Sequence, residues 1–360
     1  MRSAPARTRG RGRRGVTAGA FGKRFLVTGA AGFVGRRLCA ILTAQGAHVT
    51  ALVHRTPLPY GGIRPAIGDL TTAEGMRGVR AAADGAEYVI HLAAVVKSRS
   101  CPGYWRCNAE GTANLARILA AAPLPPRRLV LCSSLAAAGP SLPGRPRTED
   151  DPPAPVSHYG RSKLAGEQAV RKCADRLGAV VIRPPIVYGP GDPAFLPTLL
   201  PMVRKGLVLK AGVGPKRYSL IHVDDLCAAL LAATERGTTM RSEGSSSGVY
   251  SVSDGQEYTW QRLCRTAADV MGYRPPLLIP VPHTVTRAVA IGAEAAGRLR
   301  GTVPALNRDK VRELNCAAWA CSSARAGQDL GFTPSIQLPE GIASFLAATP
   351  PGRKSPPGHT

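Results

Sequence analysis

The sequence predicts an α/β fold, a doubly wound parallel sheet followed by a smaller C-terminal substrate lobe. Three observations predict it. Short apolar runs alternate with stretches of helical spacing through the first half; a glycine-rich turn follows the first run; and the pattern loosens into proline-rich turns after Gly189-Pro190-Gly191. Alternation of this kind places helices on both faces of a parallel sheet. A chain of 360 residues, 44% of them hydrophobic, is long enough to bury such a core.

Phe25-Leu26-Val27 is the first strand, and Leu38, Ile41 and Leu42 recur behind it at the spacing of a helix. Further strands are read at Val49 to Val53, Tyr88 to Leu92, Arg128 to Cys132 and Ala179 to Arg183, with helical stretches between them. A polar loop at Ser242 to Gly248 and an amphipathic stretch from Thr284 to Leu299 belong to the lobe. The expected division is a disordered basic arm over 1–22, a sheet domain over 23–189, a substrate lobe over 190–348 and a disordered tail over 349–360. Residues 219–235 are expected to return from the lobe to the sheet domain. No internal repeat is present.

The formal net charge of +24 first suggests nucleic acid, but the charge is concentrated at the ends. Arg2, Arg7, Arg9, Arg11, Arg13, Arg14, Lys23 and Arg24 precede the first strand without an acid, and Arg353 and Lys354 close the chain. The body carries no dense basic run, so no specific nucleic-acid partner is expected. Nine cysteines are scattered without a CxxC pair or an accompanying histidine spacing, which argues for reduced thiols in a cytoplasmic protein and for no metal. The basic N-terminus lacks the apolar run of a signal peptide, and no stretch of about 18 apolar residues is available to span a membrane.

A pyrophosphate requires a backbone that can approach closely and N–H groups that point at it, so glycines at a turn before a helix form a candidate dinucleotide site. Gly29-Ala30-Ala31-Gly32-Phe33-Val34-Gly35 meets that description. An acidic residue at the end of the second strand would accept from a ribose 2′-OH, whereas a cation pairs with a 2′-phosphate. His54 and Arg55 stand there, which favours NADP(H) over NAD(H). Asp69, followed by Leu70, is a candidate for the adenine end of the same groove, although Gly68-Asp69 is also an ordinary turn.

Tyr159 and Lys163 lie four residues apart, on one face of a helix. A phenol with an ordinary pKa near 10 is a poor base at neutral pH, and a neighbouring ammonium favours its ionised form. Exposed helices often carry such a pair. Its place after a glycine turn and after an apolar strand ending in Ser133-Ser134 makes it a candidate acid/base.

With these motifs together, the chain resembles the extended short-chain dehydrogenase/reductases of the NAD-dependent epimerase/dehydratase type. The resemblance runs from Phe25 to Leu346. Its motifs are Thr28 to Gly35, His91-Leu92-Ala93-Ala94, Asn108-Ala109-Glu110-Gly111-Thr112, Ser133-Ser134 and Tyr159 with Lys163. Arg183-Pro184-Pro185-Ile186-Val187-Tyr188-Gly189-Pro190 and His222-Val223-Asp224-Asp225-Leu226 complete it. It implies a Rossmann domain with Tyr159 as acid/base, Lys163 tuning it and holding the nicotinamide ribose, and Ser134 holding the substrate oxygen. It further implies that Leu92, Ala93 and Ala94 pack along the cofactor, that Asn108 orders that neighbourhood, and that Ser133 is a cofactor-side or structural neighbour. A homodimer is a further implication.

Departures from the family pattern narrow the chemistry. Leu135 and Ala136 stand where the family's dehydratases carry an acid pair, and neither can transfer a proton. Ile186 stands where sugar-nucleotide epimerases usually carry an asparagine, and Tyr218 where they carry a phosphate-binding arginine, with Arg217 one residue out of register. Both changes remove polar contacts that a diphosphate needs. The hydroxysteroid dehydrogenase and dihydroflavonol-reductase branches, with apolar alcohols or ketones as substrates, fit better. The alternatives are a sugar-nucleotide epimerase and a non-catalytic dinucleotide-binding protein, although such proteins usually lose the tyrosine or the lysine. His222 and Asp224 are expected to be structural. The stretch from Val281 to Leu299 reads as a lobe helix packed on the core, or alternatively as a helix in weak contact with a membrane surface.

Overall fold

The computed structural model describes residues 19–54, 61–98, 100–244, 246–302, 304 and 306–349, without the side chain at 298. Arg55, most of the N-terminal arm and the last eleven residues lie outside them. Fourteen strands among the described residues are numbered in chain order. The first seven are β1 Arg24–Thr28, β2 His48–Val53, β3 Ile63–Ile67, β4 Tyr88–His91, β5 Arg128–Cys132, β6 Ala179–Arg183 and β7 Ile186–Tyr188. The rest are β8 Leu207–Ala211, β9 Arg217–Tyr218, β10 Leu220–His222, β11 Val249–Ser251, β12 Tyr258–Thr259, β13 Leu277–Val281 and β14 Ala318–Trp319.

The α-helices up to the middle of the chain are α1 Phe33–Ala44, α2 Ala73–Ala83, α3 Cys101–Tyr104, α4 Thr112–Ala120, α5 Leu135–Ala138, α6 His158–Arg171 and α7 Phe195–Arg204. After them come α8 Val223–Glu235, α9 Trp260–Met271, α10 His283–Arg300, α11 Arg308–Asn315, α12 Ala324–Leu330 and α13 Leu338–Ala348. A π-helical turn, Trp105–Gly111, joins α3 to α4.

The seven-stranded sheet runs β11-β6-β5-β4-β1-β2-β3, and every pairing in it is parallel. Two of its strands escape the sequence reading. β3 is a sheet edge with Pro65 in it and an exposed pattern, so it shows neither an apolar run nor a clean alternation. β11 is three residues long and follows the polar loop.

Period two along the central strands divides the core. Val27, Ile90, Val130 and Val180 face one layer, with Leu38 and Leu42 of α1 and Leu226 and Leu230 of α8. Leu26, Val89, Leu129 and Val181 face the other, with Val79 of α2, Leu115 and Leu119 of α4 and Val170 of α6. The connection reverses direction between β1 and β4, which opens a crevice at the carboxyl ends of those strands.

A third core, with Leu196, Leu199, Leu220, Leu263 and Phe345, forms the lobe. Its boundary with the sheet domain is more interleaved than residues 219–235. The chain re-enters with α8, adds β11 to the sheet beside β6, leaves, and returns once more as α12, whose Ala326 and Leu330 sit in the first layer. The described residues also begin before residue 23. Ala20 is buried against the first layer and the Gly22 N–H donates to the Gly46 carbonyl.

Candidate active site

The glycine turn is built by close approach. Gly29 has φ +68°, and a Cβ there would sit 2.6 Å from the Ala93 backbone nitrogen. At Gly35 a Cβ would lie 2.2 Å from the Gly29 carbonyl oxygen, so α1 can begin directly over the turn only without a side chain at that position. Gly32 is the N-cap of α1 and supplies no side-chain acceptor. The first amides of α1, at Phe33, Val34 and Gly35, are thus free to face an anion, and no acidic residue occupies the first turn. This cradle fits a dinucleotide pyrophosphate. Ala31 contributes its carbonyl to Arg36, and the Phe33 ring lies beside Gly191 at the lobe junction.

His91 ties the turn to the rest of the crevice. Its Nδ1 lies 2.6 Å from the Thr28 hydroxyl and its Nε2 lies 2.9 Å from that of Thr112. The Thr28 hydroxyl accepts in turn from the Ala93 N–H at 3.2 Å. Burial, and then the nearby Lys163 charge, push the imidazole pKa down to about 3, so His91 is a neutral connector. Leu92, Ala93 and Ala94 follow it, partly exposed, along the crevice floor.

Asn108 sits within the π turn, a distortion that recurs at functional sites. Its amide donates to the Val95 carbonyl at 2.9 Å and to the Ser162 hydroxyl at 3.0 Å, and its oxygen accepts from the Val95 N–H at 2.8 Å. Ser162 donates to the Tyr159 carbonyl at 2.8 Å. One buried amide therefore joins the chain beyond β4 to the helix that carries Tyr159. Gly166 allows this, since a Cβ there would meet the Asn108 carbonyl oxygen at 2.5 Å.

Ser134, Tyr159 and Lys163 are brought together at the end of β5 and the first turns of α6. The Ser134 hydroxyl lies close enough to the Tyr159 phenol to favour its ionised form, and Ser134 accepts from the Ala136 N–H at 3.1 Å. Lys163 is buried and donates to the Cys132 carbonyl at 2.8 Å. Tyr104 packs edge-on against Tyr159, with ring centroids 6.1 Å apart.

The electrostatics differ from the sequence expectation. Burial raises the Tyr159 phenol above its ordinary value, the Ser134 hydrogen bond opposes it, and the Glu313 charge adds to it. Lys163 donates one hydrogen bond to a backbone carbonyl, and burial lowers its own pKa. Among the protein's own groups desolvation outweighs the cation, and the phenol keeps its proton at neutral pH.

Other assignments divide. Ser133 is structural: its hydroxyl donates to Glu167, whose carboxylate also accepts from Arg183 at 3.0 and 2.6 Å. Asp69 accepts from the Thr71 N–H and hydroxyl at 2.8 and 2.7 Å and lies 3.3 Å from His54. The Leu70 side chain is buried in the second layer and its carbonyl accepts from Asn114. His222 caps α8 by accepting from the Asp224 N–H, and Asp224 pairs with Arg37 of α1, so both are structural here. Tyr218 is buried edge-on to Trp260, Arg217 pairs with Glu257 at 3.5 Å, and Leu135 and Ala136 are buried.

Residues that the sequence reading missed come from far along the chain. Asp309 of α11 accepts from the backbone N–H of His158 at 2.7 Å and of Tyr159 at 3.1 Å, and Glu313 accepts from the Ser157 hydroxyl at 2.8 Å. No local signal announces them, because an acid in the first turn of α11 also suits that helix's own dipole.

Comparison with known proteins agrees with this geometry. The NAD dependent epimerase/dehydratase family matches residues 25–251. A ceramide reductase from Caulobacter vibrioides is 35% identical over 325 residues, covering 86% of this chain and 92% of that protein. A 2-alkyl-3-oxoalkanoate reductase from Shewanella oneidensis is 28% identical over 344 residues, covering 89% and 85%. Among solved structures, MoeE5 in complex with UDP-glucose and NAD is 28% identical with a TM-score of 0.70, covering 90% of this chain and 98% of its own. The chain therefore belongs to the NAD-dependent epimerase/dehydratase family and is an enzyme of the extended short-chain dehydrogenase/reductase type.

Proposed function

We propose that the protein reduces a ketone on an apolar small molecule to a secondary alcohol, and catalyses the reverse oxidation, with Tyr159 as the acid/base. The observation that carries this reading is a complete Ser134, Tyr159 and Lys163 cluster facing a lobe without the expected diphosphate contacts. Ile186 has no polar side-chain atom, Tyr218 is buried, and Arg217 is held by Glu257. The likeness to a ceramide reductase and to a 2-alkyl-3-oxoalkanoate reductase supports the same substrate class.

A dinucleotide held at the glycine turn would supply the hydride. Tyr159, kept protonated by burial, gives its phenol proton to the carbonyl oxygen as that oxygen gains charge. Ser134, beside the same phenol, turns its single hydroxyl proton towards that oxygen and stabilises the charge with a second hydrogen bond. Lys163 anchors α6 to the end of β5. The α1 amides and the glycines would hold the dinucleotide's pyrophosphate. A cation rather than an acid after β2 supports NADP(H) over NAD(H).

A spectrophotometric screen of NADPH and NADH oxidation against long-chain 3-keto compounds, sterol ketones and sugar nucleotides tests the proposal. Turnover of the apolar ketones with NADPH is the expected result; turnover confined to sugar nucleotides overturns the substrate class. Faster rates with NADH overturn the NADP(H) preference.

A further inference from the structure

The lobe carries an apolar surface of unusual composition. β8 and β13 pair in parallel, with Leu207 beside Leu277 and Leu209 beside Ile279, and all four side chains are exposed. Leu277 is 66% and Leu209 54% exposed. The alternate residue Val208 is fully buried in the lobe core, so the ribbon presents one apolar face inward and a second outward.

Helix α10 continues this surface. It starts two residues after β13, and the His283 ring packs against Gly212, next to the exposed Val213. Thr286, Ala290 and Gly297 form its buried side. The opposite stripe of Val285, Ala288, Val289, Gly292, Ala295 and Leu299 is exposed, at the spacing of one helical face, and contains no polar side chain. In an ordinary surface helix that stripe would be charged.

Charge selects the occupant. From residue 193 to 223, and again from 270 to 293, the sequence contains no acidic residue. Arg204, Lys205, Arg274 and Arg287 are exposed around the apolar surface, and Glu294, at its margin, is paired with Arg308 at 2.8 Å. Two copies of the chain meeting across a two-fold axis through this surface would bring the same cations against each other. An anionic lipid bilayer offers both an apolar interior and opposite charge, as a membrane-surface helix requires. α10 also packs against α11, which holds the start of the Tyr159 helix, so the surface adjoins the candidate site.

We propose that the outward face of β8, β13 and α10 lies on anionic membrane surfaces, where the enzyme meets its apolar substrate. The docking itself is independent of the substrate; only its purpose rests on the function proposed above.

The test is co-sedimentation of the full chain with phosphatidylcholine vesicles, with and without phosphatidylglycerol, in the absence of substrate. One variant is Leu277→Asp with Val289→Asp; a second, Arg204→Glu with Arg274→Glu, leaves the apolar residues in place. Melting temperature and dinucleotide binding verify that both are folded. Wild-type protein is expected to bind the phosphatidylglycerol vesicles, with binding about tenfold weaker to phosphatidylcholine alone and about tenfold weaker in each variant. Unchanged binding in both folded variants would mean that the N-terminal arginines hold the vesicle and would overturn the proposal. So would absence of wild-type binding, or a dimer that falls to monomer in the aspartate variant while no form binds vesicles. Failure of the function proposed above shows separately, as lack of ketone turnover by a protein that still binds vesicles.

Discussion

The Asp309 carboxylate, from the lobe, accepts from the backbone N–H groups of His158 and Tyr159, 151 and 150 residues earlier in the sequence. A buried helix start leaves its first amides without partners unless a side chain or ligand supplies them. Here the lobe supplies them at the helix that bears the phenol, and Glu313 adds a bond to the N-cap residue Ser157. The position of Tyr159 therefore depends on the docking of α11. Asp309→Ala is expected to lower stability by about 1 kcal/mol, as for loss of an N-cap, and to reduce kcat with little change in dinucleotide affinity. Calorimetry and steady-state kinetics check both; unchanged kcat would mean that α6 is held without α11.

Glu313 also raises the pKa of the Tyr159 phenol. Alcohol oxidation needs the deprotonated phenol, so its rate should rise with pH through that pKa. Glu313→Gln removes the opposing charge and should move the rising limb of the pH–rate profile to lower pH. A limb that stays or moves upward contradicts the assignment of the limb to Tyr159.

Tyr159→Phe keeps the ring packed against Tyr104 and removes the proton donor. Turnover should fall by roughly 10²–10⁴-fold, the usual contribution of general acid–base catalysis, while dinucleotide binding followed by fluorescence stays near wild type. Near-normal turnover would end the mechanism.

Gly35→Ala places a methyl group against the Gly29 carbonyl, where backbone rather than a flexible side chain must move. Dinucleotide affinity should drop by about tenfold or more, one misplaced turn being worth at least about 1.4 kcal/mol. Titration calorimetry measures it directly, and unaltered affinity would count against the turn as the pyrophosphate cradle.

His91 is buried and neutral in the folded chain, and its pKa falls from 6.5 to about 3. Between those values the unfolded chain binds a proton that the folded one does not, so this contribution to stability is full above pH 6.5 and is lost as pH falls towards about 3. His91→Gln should flatten the acid side of the pH–stability curve within that window. Chemical denaturation at intervals of pH reads the difference, and identical curves would reject it.

The buried pair of Glu167 and Arg183, each 4% exposed, joins α6 to the end of β6. Glu167→Ala strands a buried guanidinium and should destabilise the fold by about 3–5 kcal/mol, whereas replacing both partners with methionine should cost much less. Equal losses in the two variants would mean that the bond, rather than the unpaired charge, sets the penalty.

Much of this site was legible from residues because its determinants are local. Glycines at 29, 32 and 35 between an apolar strand and a helix define a phosphate turn by backbone geometry alone, and Tyr159 with Lys163 share a face by helical period. The seven strands were less legible at the edges, where Pro65 and a three-residue length weaken the pattern. The net shift at Tyr159 was not legible, since spacing locates Lys163 but says nothing of the desolvation around the phenol.

By itself the sequence determined the alternation of strands and helices, the glycine cradle and the family. Only the tertiary structure decided that Asp309 holds the start of α6, that Glu167 and Arg183 close a buried pair, and that the apolar stripe of α10 faces outward. Elements follow from local period and steric rules, which a sequence states directly. Partners separated by tens to hundreds of residues, and which face of a helix meets water, follow from how those elements pack, and packing is a property of the folded whole.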